Sequence, residues 1–314
     1  MIINSIEEYI AKVKAICISD KPNVFPRIYF RGEANCKWKH EAFLFRGKIG
    51  KKNELTDVNW TSEKNMIQSA LIYYPEAFKD CPNAISRTVK MQHYGLPTRL
   101  YDVTSNPLVA LYFACCSEKG KRGMVMYTKP SIQLTSVSDV NILADLAELL
   151  DDGQKSVKIL YDYMKVYNRI PPESNEDSLK AFLFRSIAES FLFQPPMDNE
   201  RIQLQQGAFI FSAIMKPFYH DEIGRYEKLK TKLESDGAFS DEMLDFLSTK
   251  NESLLLDDLF EPEHFVIQAR DKNKLLKELD LLGVNEGFLF PELEHKLRVI
   301  KSRNVPKSSI KLDI

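Results

Sequence analysis

Apolar positions along the chain repeat with two periods, and the switches between them mark out the elements. Ile6, Tyr9, Ile10 and Val13 recur at helical spacing behind Ser5. Ser5 suits an N-cap and Glu8 completes a capping box, so a helix is predicted over 5–17, ended by Pro22 and Pro26. RIYFRGE (27–33) alternates as a strand, with Ile28 and Phe30 on one face and Arg31 opposite in phase. Residues 62–79 and 84–93 read as helical. LVALYFACC (108–116) is apolar on nearly every side, which predicts a buried helix with Pro107 in its first turn and Ser105 or Asn106 as cap. GMVMYTK (123–129), GAFIFSAIM (207–215) and HFVIQAR (264–270) read as strands. Residues 139–190 read as mostly helical and free of strand patterns, with Leu143, Leu146, Leu149 and Leu150 in one stripe and Ile159, Tyr163 and Val166 in another. Residues 222–258 are helical and charged, and 272–282 form a helix closed by Gly283. Residues 47–60 read as a loop, and the tail past Asn304 frays.

The class expected is α+β: central mixed or antiparallel sheets, surrounding helices, and a helical insertion at about 131–194. One domain spans 1–314, with its core in 5–130 and 195–301.

Composition narrows the chemistry. The chain has 314 residues, 44% hydrophobic and 28% charged, enough to bury a core without metals or disulfides. With 43 basic and 44 acidic residues, it is not built to coat DNA. Five irregularly spaced cysteines, Cys17, Cys36, Cys81, Cys115 and Cys116, point to a reducing compartment. No signal-peptide pattern opens the sequence and no stretch of eighteen apolar residues occurs, so a cytoplasmic chain without membrane insertion is expected. No zinc spacing, P-loop or nucleophile elbow appears. Cys115 and Cys116 read as buried thiols. The basic stretches at 46–52 and 296–303 read as solvated faces.

Polar chemistry gathers in MQHYGLPTRLYDVTSNPLVALYFA (91–114), where a dense polar segment runs into the apolar helix. Such groups are satisfied by one another or by a ligand, and a helix N-terminus favours an anion. Two readings stand. In one, Asp102 pairs with Arg99, and Ser105 or Asn106 caps the helix. In the other, the segment lines a ligand cleft. Arg31 likewise either forks onto a phosphate or carboxylate, or forms a salt bridge with Glu33 or Asp102. Gln205 and Gln206, before Gly207, either bond a ligand edge or satisfy loop backbone.

YFRGE, QHYGLPTRLYDVTSNPLVALYFA, RIQLQQGAFIF and EGFLFPELEHKLRVIK (286–301) resemble the successive signatures of the FRG-domain family. The resemblance covers roughly 5–130 and 195–301. Val103 stands where that family commonly shows a tryptophan. The resemblance implies a bacterial defence or toxin-type effector, with an antitoxin partner.

A more distant resemblance is to ADP-ribosyltransferases, which order a strand arginine, a Ser-Thr-Ser-like motif with an Ala-x-x-Phe helix, and a late glutamate. Arg31 is similar to the first, and Thr104-Ser105 with Ala110 and Phe113 to the second. Gln206 falls where the glutamate would stand, which leaves the negative charge to Glu200 or another carboxylate. This resemblance implies NAD as cofactor. Arg31 and Gly32 would hold its pyrophosphate, while His93, Thr98 and Arg99 would line the nicotinamide or ribose side. Tyr94 or Tyr101 would stack on nicotinamide, and Asp102 would orient Arg99 or His93. Thr104, Ser105 and Asn106 would complete the cofactor site, with Arg31, His93, Thr104 and Gln206 as the catalytic set. The acceptor would be a nucleic acid or a protein. The alternative is a non-catalytic module that senses a nucleotide or nucleic acid in the same cleft.

Overall fold

A computed structural model describes residues 1–17, 28–45, 60–129, 134–149, 157–170, 175–197, 199–213 and 259–292, with 228, 231, 232 and 256. All but the last residue of the expected loop at 47–60, nearly all of the expected helical stretch at 222–258 and everything past 292 lie outside these residues; Trp60 begins a helix.

The described strands form one seven-stranded mixed sheet. They are β1 (Ile2–Ile3), β2 (Phe30–Glu33), β3 (Leu100–Thr104), β4 (Gly123–Tyr127), β5 (Phe191–Phe193), β6 (Gly207–Phe211) and β7 (Phe265–Ile267). Their order is β1-β7-β4-β2-β3-β6-β5, with β1 and β7 parallel and the other neighbours antiparallel.

Strand periodicity sorts the side chains onto two faces. Phe30, Tyr127, Phe265 and Ile267 pack under α1 (Ile6–Cys17), α4 (Pro107–Cys116), α9 (Lys272–Leu281) and α10 (Glu286–Leu289). On the same face, Leu100, Phe193, Phe209 and Phe211 pack under α2 (Trp60–Tyr73), α3 (Ala84–His93), α5 (Val137–Leu149), α6 (Val157–Val166) and α7 (Glu176–Ala188). The opposite face buries Tyr101, Val103, Met124, Met126, Leu192 and Ile210 with Phe260. The helices thus fall into two groups over two halves of one sheet, and the boundary between the groups follows β2 and β3.

Local chemistry explains the elements. Asn106 caps α4 by accepting from Leu108 N at 2.9 Å and Val109 N at 3.4 Å, with Pro107 in the first turn. Gly32 lets α4 lie against β2: a Cβ there would stand 1.8 Å from the Ala110 carbonyl oxygen. Gly283 closes α9 at φ +82°. Pro75 divides the expected 62–79 helix into α2 and a 3-10 turn, Pro75–Phe78. Within the polar segment at 91–114, residues 100–104 form a strand, held by five-position pairing with β6. β5 closes the expected helical insertion at about 131–194, where Phe191–Phe193 pair with β6. No helix among the described residues is long and apolar enough to cross a membrane.

Candidate functional site

β2 and β3 meet at one registered pair, Phe30 opposite Thr104, and a side chain bridges them beyond it. Arg31 Nη1 donates to the Asp102 carbonyl at 2.9 Å and approaches Asp102 Oδ2 at 3.4 Å. Its guanidinium lies 4.4 Å from the centre of the Tyr101 ring, and its Nε is 3.6 Å from Glu33 Oε1. Glu33 is buried and accepts the Tyr101 hydroxyl at 2.7 Å. Burial opposes the charge on Arg31, but Tyr101, Asp102 and Glu33 outweigh it and raise its pKa, so the cation is fixed.

Asp102 occupies a strand position whose parity faces the helices, with Leu100 and Thr104. Those neighbours are buried, yet the Asp102 side chain is 57% exposed, because the two helical groups part there. Gln92, near the end of α3, donates through Nε2 to Asp102 Oδ1 at 3.0 Å. The buried Thr98 hydroxyl in turn donates to Gln92 Oε1 and accepts from Leu100 N at 3.2 Å. Thr98, Gln92, Asp102 and Arg31 therefore form one chain of polar contacts across the cleft floor.

Two hollows open beside this chain. One, of about 260 Å³, is lined by Arg31, Gly32, Trp38, Thr104, Phe113 and Cys116 among others. The second, of about 240 Å³, is lined by Gln92, His93, Leu100 and Phe209 among others. Asp102, Val103, Arg201 and Gln205 line both, so the two form one cleft. Asp102 is the one carboxylate among its described lining residues. A further hollow of about 310 Å³ lies behind His93, between α3 and residues 195–199.

Arg201 and Gln205 come from α8 (Glu200–Gln205), which docks on residues 289–292. Gln205 Nε2 donates to the Leu289 carbonyl at 3.0 Å. Arg201 stands 4.7 Å over the Phe290 ring and 3.7 Å from Glu292 Oε1.

The expected site residues are thus only partly brought together. Arg31, Gly32, His93, Tyr101, Asp102 and Thr104 line the cleft. The Arg99–Asp102 pairing gives way to another: Arg99, 3% exposed, forks onto Glu63 at 2.7–2.9 Å and donates to the Ala213 carbonyl at 3.0 Å. Burial raises the pKa of Glu63, and Arg99 opposes this without cancelling it. Tyr94 is 83% exposed at the end of α3 and lines neither hollow. The Tyr101 ring carries the Arg31 guanidinium. Thr104 Oγ1 donates to the Gln205 carbonyl at 2.6 Å and accepts from Asn106 N at 2.9 Å, so it fastens two turns. Ser105 Oγ donates to the Gln206 carbonyl at 3.4 Å. Gln206 takes φ +47° at the end of α8 and is exposed, outside the lining; its neighbour Gln205 faces the cleft. The α4 N-terminus is filled by Asn106, which removes it as an anion seat.

Sequence reasoning missed Gln92, Arg201, Gln205 as a lining residue, and Trp38. Gln92 had a signal, standing beside His93 in the same segment. Arg201 opens the RIQLQQGAFIF stretch, but nothing local shows which way it faces. Burial pushes the Cys115 thiol up to about 12 and also raises Cys116, so neither is poised as a thiolate nucleophile near neutral pH. Among the described residues no three His, Cys, Asp or Glu side chains are grouped to hold a metal ion.

The FRG domain family model matches residues 26–122, so the chain carries an FRG domain over that span. No curated protein and no solved structure matches the chain.

Proposed function

We propose that this FRG-domain chain binds a nucleotide-type ligand of the NAD class in the cleft between β2 and β3, and cleaves its nicotinamide–ribose bond as a transferase or glycohydrolase. The observation that carries the reading is one hollow lined by a fixed guanidinium (Arg31), an exposed carboxylate (Asp102) and two aromatic rings (Trp38 and Phe113). A guanidinium suits a phosphate, and flat apolar walls suit a base or nicotinamide ring. Cleaving the glycosidic bond builds positive charge on the sugar, which a preorganised carboxylate stabilises. Asp102 is held for that task by Gln92 and Arg31. This reading gives Asp102 the part that the ADP-ribosyltransferase resemblance leaves without a glutamate at Gln206.

The effector role implied by the FRG resemblance adds a nucleic-acid or protein acceptor and an antitoxin-type partner. A second reading, binding without turnover, is favoured by the contacts that already engage Arg31. Purified chain incubated with NAD, with and without RNA, DNA and protein, separates them. Nicotinamide release that falls sharply in Arg31→Lys and Asp102→Asn supports catalysis. Saturable binding without release supports a sensing module. Absence of both binding and release rejects the NAD reading. Toxicity on expression that survives Arg31→Lys would reject the effector role for this cleft.

A further inference from the structure

Arg201 differs from Arg31 in how firmly it is held. Arg31 is bonded to the Asp102 carbonyl at 2.9 Å and stacked on a buried ring. Arg201 has a loose ion pair with Glu292 at 3.7 Å and a ring contact with Phe290. Glu292 is 49% exposed, the setting in which an ion pair contributes little and exchanges readily. Yet Arg201 lines both hollows and shares the larger one with Arg31. Two guanidiniums facing one cavity suit an anion with two charged groups better than one with a single group. Phe290 gives the Arg201 head a platform on which it can turn from one carboxylate to another acceptor.

We propose that Arg201 is the second anion anchor of the cleft, selecting ligands with two linked phosphates, and that Glu292 is its internal competitor. The incoming diphosphate displaces the Glu292 carboxylate from Arg201, and the first phosphate is taken by Arg31. Neither Arg201 nor Glu292 falls within the matched domain, residues 26–122, so the C-terminal part of the chain supplies this determinant. It rests on the nucleotide reading above.

The test is calorimetric titration of ADP and AMP into the wild-type chain, Arg201→Ala and Glu292→Gln, with thermal melting of each. The wild type is expected to prefer ADP. Arg201→Ala should weaken ADP by about tenfold while leaving AMP within about twofold. Glu292→Gln, at an exposed position, should tighten ADP by about two- to fivefold with AMP unchanged. If Glu292→Gln leaves ADP affinity unchanged or weakens it, and only lowers the melting temperature, the pair merely fastens α8 to the C-terminal segment and the proposal is overturned. Equal losses of ADP and AMP in Arg201→Ala overturn the selectivity. No binding of either nucleotide by the wild type overturns the underlying nucleotide reading as well, a result distinct from wild-type binding that the variants leave unmoved.

Discussion

Arg99 and Arg31 come from different stretches of the chain, meet neighbouring parts of one strand, and end in opposite states. Arg99 is sealed in the helical layer, forked onto Glu63 and the Ala213 carbonyl. Arg31 stands at the cleft, with 17% of its side chain exposed and an exposed carboxylate as partner. Four residues, Arg99 to Asp102, carry β3 from the first environment to the second. Where helices cover the sheet, a charge is matched within the fold. Where the two helical groups part, a charge is left in reach of a ligand. Loss of a partner should therefore cost stability in the first region and function in the second.

The largest expected effect tests the sealed pair. Glu63→Ala leaves a buried guanidinium without its counter-ion, which costs about 3–5 kcal/mol. Thermal melting should fall by roughly 10 °C. A drop of only a degree or two would mean that the Arg99 environment is wet and that the contrast fails. At the cleft, Asp102→Asn keeps the shape and should move stability by less than about 1 kcal/mol. Nicotinamide release should fall by about a hundredfold, the cost of removing a preorganised charge. The reverse pattern, a large melting shift with unchanged release, would make Asp102 structural. Gln92→Ala loosens Asp102 without removing it, so a two- to tenfold loss of release (about 0.4–1.4 kcal/mol) is expected; full activity would break the chain from Thr98 to Arg31.

The smallest effect is a pH trend. The folded-state pKa of Glu63 is raised, by burial first, above its ordinary carboxylate value. The unfolded chain therefore releases this proton at lower pH than the folded one. Its contribution is fully present below the ordinary carboxylate pKa and is lost as pH rises through the raised value. The melting temperature of Glu63→Gln should accordingly gain on that of the wild type as pH rises above the ordinary carboxylate range. A gain in the opposite direction would show that Arg99 outweighs burial.

The α4 helix was legible because its signals are local: Pro107, the Asn106 cap and an unbroken apolar run. The strands at Gly207–Phe211 and Phe265–Ile267 were legible for the same reason, though shorter than expected. β3 was not, because Arg99, Asp102 and Thr104 read as loop chemistry when counted alone. Its strand form comes from β6, a hundred residues away in sequence, and tertiary pairing overrides local polarity. The close approach of the Ala110 carbonyl to Gly32 was not legible, because it comes from a helix far along the chain. Arg99 illustrates the same boundary: its partner Glu63 is separated from it by the whole of α3, and no spacing rule links them. Gln206 shows it at single-residue scale. The positive φ at the end of α8 turns the side chain outward and hands the cleft to Gln205.

Seating of a nucleotide-type ligand between β2 and β3 can be followed by fluorescence. The chain has two tryptophans, and Trp38 lines the hollow beside Arg31. On a Trp60→Phe background, titration with NAD should quench Trp38 saturably, and Arg31→Lys should weaken that response by about tenfold or more. An unchanged Trp38 signal across the titration, or the same curve with and without the Arg31 guanidinium, would contradict the account.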